Sequence, residues 1–164
     1  MELRFRTATR ADNGFFREME FETTWFSLSS ADQARLSERK VRRALDDTHE
    51  ILLARPGNRV VIAETPEGDP VGLLWYGVSR NLISGEDEAW IYNLSVLPAF
   101  RRQGIGRRLL DHAESLARQD GHAVLGLMVS QHNVGARQLY EELGFETTNL
   151  VMRRVLQPGG SEAS

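Results

Sequence analysis

Apolar and polar positions alternate in the first few residues of the chain and then settle into a helical period. Leu3 and Phe5 alternate with Arg4 and Arg6, which predicts a short strand with one buried face. Thr9 followed three positions later by Asp12 has the form of a capping box. Phe15, Phe16 and Met19 then share a helical stripe that should run out near "ETTWFSLSS". Ala34, Val41, Ala44 and Leu45 predict a second helix over about 30–46.

From Arg59 the period changes to two. "RVVIAE" and "PVGLLWYGVS" are β-rich runs joined by "TPEGDP", whose Pro, Gly and Asp favour a turn, so a hairpin is expected. "NLISGEDE" reads as a polar loop and "AWIYNLSV" as a further strand. Leu109, Leu110, Ala113, Leu116 and Ala117 place a long helix before Gly121. "AVLGLMVS" is a continuous apolar run, which predicts a strand buried on both faces in the interior of a sheet. A short helix capped by Asn133 follows, carrying Leu139, Tyr140 and Leu143 and stopping at Gly144 and Phe145. "VMRRVL" is expected as the last strand and "QPGGSEAS", residues 157–164, as a disordered tail. The order of elements predicts one α+β (mixed α/β) domain over 1–156, built around one sheet.

Composition narrows the classes of function. A chain of 164 residues, 41% hydrophobic, suits one domain with one sizeable core. The formal charge of −3 gives no global field toward nucleic acid or an anionic membrane, so any anion site must be local. With no cysteine there is no disulfide framework, thiolate nucleophile or thiolate metal site, and the four histidines lack metal-ligand spacing. No apolar run has membrane-spanning length and the first residues lack a signal-peptide core, which leads to the expectation of a soluble, cytoplasmic protein.

The chemistry concentrates in "VLPAFRRQGIGRRLL". Arg101, Arg102, Arg107 and Arg108 surround Gly104 and Gly106 where a helix begins, although the helix dipole disfavours cations there. An anion resolves that conflict: successive amides around Gly104, Ile105 and Gly106 can converge on a phosphate. The alternative is a tight turn with solvated arginines, and all but one of the chain's basic residues are arginine. A nucleotide loop of the NTPase kind needs Gly-Lys-Ser/Thr, and a dinucleotide fingerprint needs a third glycine where Leu109 stands, so both fit poorly.

A second motif decides between these. Arg101, Gly104 and Gly106, followed one strand later by Asn133, Ala136, Leu139, Tyr140, Gly144 and Phe145, resemble the signature of the GNAT superfamily of acetyl-CoA-dependent N-acetyltransferases. The order of elements from about Leu3 to Leu156 is similar too. The resemblance implies a GNAT-like fold: a central mixed, mostly antiparallel sheet, splayed like a V and flanked by about four helices. Acetyl-CoA would lie in the opening. Its pyrophosphate would sit on the amides of Arg102, Gln103, Gly104, Ile105, Gly106 and Arg107, beside Arg101. Its pantetheine arm would pair with Leu94, Ser95 and Val96, with Asn133 and Ala136 nearby.

In the family, the tyrosine at the position of Tyr140 protonates the departing thiolate. On its own, a tyrosine on an apolar helix face also reads as a core residue. Many relatives carry a glutamate base on the strand before the glycine turn, and here Trp90 holds one such place. Glu88, two residues earlier, would share the face of Trp90 and Tyr92, and is either a base acting directly or through water, or a solvated loop acid.

The acceptor is expected to be an amine of a small molecule or protein, held near Glu18, Glu20, Glu22, Phe21, Trp25, Phe26 and the loop Glu86–Glu88. Acidic and aromatic groups there suit a cation. Many members of the family dimerise, so the resemblance adds a homodimer to the expected assemblies. A catalytically silent acyl-CoA-binding or regulatory module is the alternative that the missing strand glutamate keeps open.

Overall fold

The computed structural model describes residues 1–159. Five strands form one sheet in chain order: β1 (Arg4–Thr7), β2 (Arg59–Glu64), β3 (Pro70–Arg80), β4 (Asp87–Val96) and β5 (Leu125–Leu127). The first four pair antiparallel and β5 joins β4 in parallel. Five α-helices flank it among the described residues: α1 (Asn13–Ser27), α2 (Ser30–Arg35), α3 (Glu38–Leu53), α4 (Ile105–Gln119) and α5 (Val134–Glu142). The expected α+β fold with a mixed, mostly antiparallel sheet is present.

The sheet separates two apolar layers. Phe16 and Met19 of α1 pack with Ile62, Leu73 and Trp75 on one face. On the other, Leu109, Leu110, Ala113 and Ala117 of α4 pack with Val61, Leu74, Tyr76 and Ile91. Full burial of side chains such as Leu74 and Leu109 stabilises by roughly 1.5–3 kcal/mol each. The Tyr76 hydroxyl donates to Asp120 at the end of α4, 3.0 Å away. Burial and that contact push the phenol up to about 12.

Three expectations are corrected. The helix foreseen over 30–46 is two helices, because the Ser37 hydroxyl accepts from the Lys40 amide at 3.2 Å and starts a new one that continues to Leu53. The run "AVLGLMVS" yields only a three-residue β5, half-buried at the sheet edge rather than inside it. "VMRRVL" forms no strand: its apolar side chains are exposed, and Arg153 reaches across to Asp32 of α2 at 2.7 and 3.2 Å. Asp32, almost fully buried, also takes Arg35 and the Ser29 hydroxyl, and these donors hold its carboxyl well below the usual range. Of the tail expected over 157–164, residues 160–164 lie outside the described residues.

Candidate active site

The site grows from a mismatch in strand length. β4 pairs with β3 from Asp87 to Val96, but with β5 only from Ala89 to Ile91. Beyond Ile91 one edge of β4 has no strand neighbour among the described residues, and the sheet opens. An irregularity in the β3–β4 register falls between Trp75 and Tyr76, opposite Ile91 and Asn93, so Tyr92 is the extra residue of a bulge. The Leu97 amide donates to Val71 on the β3 side at 2.9 Å. Antiparallel alternation then turns the main-chain groups of Leu94 and Val96 outward, to the open edge. In agreement, Val96 O accepts from Arg101 Nε at 3.0 Å.

The turn expected to bind an anion reaches that edge. Arg102, with φ of 62°, is the only non-glycine residue described with positive φ, and Gly104 at 78° forms the N-cap of α4. Alternating left-handed residues before a helix point successive amides into one concavity. The first α4 amide to find a helical partner is that of Arg108, which donates to Gly104 O at 3.2 Å, so Ile105, Gly106 and Arg107 present unpaired N–H groups. A Cβ on Gly106 would lie 3.4 Å from Leu139 and 3.8 Å from Leu94, so its missing side chain lets α4, α5 and the β4 edge converge.

The four arginines part company. Arg101 holds the main chain of Val96, and Arg107 stands 3.8 Å from Glu142. Arg108 turns away toward the N-terminal segment, its guanidinium over the Phe5 ring at 5.4 Å and near Leu3 O. Arg102 is exposed at the turn, with no ion pair or side-chain hydrogen bond among the described residues.

On α5, Asn133 caps the helix, accepting the Ala136 amide at 3.3 Å. Tyr140 packs against the α4-side core and against Phe145 at 5.7 Å, and burial pushes its hydroxyl pKa up. It therefore stays protonated across the neutral range.

The opposite face of the sheet departs from expectation. Glu18 is bound by Arg42 at 2.9 and 3.2 Å, and the same guanidinium covers Phe21 at 3.7 Å, so these two groups are satisfied within the fold rather than left for a cationic ligand. Glu20 is buried and 2.8 Å from His49, a pairing between α1 and α3 that spacing in sequence does not reveal. Glu88 belongs to β4, accepts from Asn81 at 2.8 Å, and stands six positions before Leu94, about 20 Å along the strand. Trp90 pairs with Gly126, where a Cβ would come within 2.5 Å of its ring, so the indole closes the apex of the splay. The end of α1 is tied to the loop before α5: Ser130 donates to Ser27 O at 2.9 Å, and His132 contacts Phe26 O at 2.5 Å. No group of metal-ligating side chains occurs among the described residues.

The family model described as the acetyltransferase (GNAT) family matches residues 20–145, from α1 to the residue pair that ends α5. The chain belongs to this family. An uncharacterized N-acetyltransferase, YycN, of Bacillus subtilis is 33% identical over 104 residues, 63% of this chain and 65% of that protein. The [ribosomal protein bS18]-alanine N-acetyltransferase of Escherichia coli K12 is 42% identical over 64 residues, 39% of this chain and 43% of that one. The matched stretches thus span between about two fifths and two thirds of these relatives. Among solved structures, the aminoglycoside N-acetyltransferase AAC(6')-Iy in complex with CoA superposes with a TM-score of 0.70 at 16% identity, covering 96% of each chain. At that identity the likeness concerns the fold. For this GNAT chain it agrees with the splay read from its own ladders.

Proposed function

We propose that this chain moves the acetyl group of acetyl-CoA to a primary amine on a small molecule or a protein, by direct attack in a ternary complex. The observation that carries the reading is the meeting, at Gly106, of two sets of unpaired main-chain donors: the outward edge of β4 at Leu94 and Val96, and the start of α4. An extended amide-bearing arm ending in phosphates matches both. The CoA bound in the similar solved structure supports the same reading.

Acetyl-CoA supplies an activated acyl carbon and a thiolate leaving group. The amides of Arg102 to Arg107 hold phosphate, with Arg102 as the adjacent cation, and the edge from Leu94 to Val96 aligns the amide-bearing arm. The amine lone pair attacks the acyl carbon; as the N–C bond forms and the C–S bond breaks, Tyr140 gives its hydroxyl proton to sulfur. The proton lost from nitrogen passes to water. Glu88, about 20 Å along β4 from Leu94, takes it only through water.

A silent acyl-CoA-binding module is favoured by one observation, the indole of Trp90 at the apex where a carboxylate would help catalysis. Calorimetric titration with acetyl-CoA, with NAD as control, followed by thiol release in the presence of amines, separates the two. We expect binding of acetyl-CoA alone, then transfer that Tyr140→Phe lowers by about 100-fold or more at unchanged affinity. Binding without transfer to any amine leaves the silent module; no binding by folded protein sinks both.

A further inference from the structure

Three side-chain oxygens in the described residues are buried without a hydrogen-bond partner: Glu20 Oε1, Asn93 Oδ1 and Ser95 Oγ. Leaving a buried polar atom unpaired costs the full desolvation of that atom, so two such atoms on adjacent inward positions of one strand require a reason. Asn93 is 5% exposed and pairs in register with Trp75, and Ser95 pairs with Leu73. Directly opposite residues share a face, so both side chains lie on the α1 side with Trp75 and Leu73. Both also follow the bulge at Tyr92, where β4 has left β5. They therefore stand beside the outward amides of Leu94 and Val96, on the face away from Tyr140.

We propose that Asn93 Oδ1 and Ser95 Oγ form the acceptor-amine subsite, each accepting one N–H of the neutral amine while its lone pair is directed to the acyl carbon. This rests on the acetyl-transfer reading above and adds the groups that grip the nucleophile. Both are acceptor oxygens, and a neutral primary amine has two hydrogens to give. They are also uncharged: a carboxylate here would favour the ammonium form and withhold the lone pair, whereas an amide and a hydroxyl leave the neutral form competitive in a buried site. The titratable groups packed toward this side of the sheet are Glu20 of α1, His49 of α3 and Tyr92 of β4, while Glu18 with Arg42 and Arg17 with Asp46 form exposed ion pairs between α1 and α3. The first two are bound to each other and Tyr92 donates to Val78 O, so none replaces the pair.

The test uses the full chain, acetyl-CoA, and three amine probes: spermidine, a hexapeptide beginning with alanine, and kanamycin. Asn93→Leu removes the unpaired oxygen at similar volume. Its thermal midpoint should equal or exceed that of wild type and its acetyl-CoA affinity should stay within about twofold, while KM for the acetylated probe rises about tenfold or more. Asn93→Asp should move the acid limb of kcat to higher pH by about one unit, because the introduced charge raises the pKa of the bound amine. Should Asn93→Leu not fold, Ser95→Ala is read by the same midpoint and KM. A wild type that acetylates a probe while these variants keep its KM and pH limb overturns the subsite alone, as does a midpoint several degrees lower. A wild type that binds acetyl-CoA yet acetylates none of the probes removes the transfer reading and the subsite with it.

Discussion

β4 has two neighbours and engages them very differently. Toward β3 the ladder runs the whole length of the strand, from Asp87 to Val96, and is covered on both faces by apolar layers. Toward β5 it runs only from Ala89 to Ile91, and β5 itself is half-buried at an edge. One side of the strand stabilises the fold; the other leaves main-chain donors without protein partners at Leu94 and Val96. Stability and binding are thus divided between the two edges of a single strand. Substitutions on the two sides should separate them.

The largest expected effect lies on the closed side. Leu74 is fully buried under α4, so Leu74→Ala should destabilise by about 2–5 kcal/mol, whereas Leu125→Ala on half-buried β5 should cost well under half as much. Denaturant melts of the two variants check this; equal losses would mean that β5 is as integral to the core as β3.

On the open side the sign of the comparison reverses. Gly104 holds φ of 78° with no atom within 4 Å of the position of a Cβ, so Gly104→Val strains the backbone by about 1–2 kcal/mol, with no clash at its Cβ. It distorts the amide concavity, and acetyl-CoA affinity should fall by about tenfold or more, a larger fractional loss than that of stability. Near-normal affinity by calorimetry would reduce the turn to a structural role.

The same contrast explains what could be read from the chain. The hairpin of β2 and β3, the long α4 and the capped α5 carry strong local signals: strict periods, turn residues and Asn133 as a cap. The family's two motifs, Arg101–Gly106 and Asn133–Phe145, are local as well, and the proposed cofactor half of the site rests on them. What was misread depends on distant partners. "AVLGLMVS" looks like an interior strand, but how far it pairs is set by the divergence of β4. "VMRRVL" has strand composition, yet Arg153 is held by Asp32, 121 positions away in sequence. The acids of α1 looked available for a cation until α3 brought Arg42 and His49 against them. Arg108 is likewise taken by the N-terminal segment. None of these pairings leaves a mark at short range.

The smallest effect again concerns the closed side, which carries an ionic network at its far edge. Arg6 of β1 donates to Asp12 at 2.8 and 2.9 Å and to Glu64 of β2 at 2.6 Å, tying the first strand to the start of α1 and to the sheet. The guanidinium holds the Asp12 carboxyl down to about 2, with the Thr9 amide also donating to it. Because the folded value lies below that of the unfolded chain, the contribution is fully present above pH of about 4 and is lost as pH falls through about 2. The Arg6 side chain is 35% exposed, and solvent screening brings the contribution to on the order of 1 kcal/mol. Asp12→Asn should therefore lower stability modestly at pH 7 and flatten its decline between about pH 4 and 2, measured as urea midpoints across that range. Among the described residues the open side has no such network at Leu94–Val96, so Gly104→Val should leave the acid slope unchanged. A parallel change in both variants would show that the β1 edge of the sheet and the open edge of β4 are coupled.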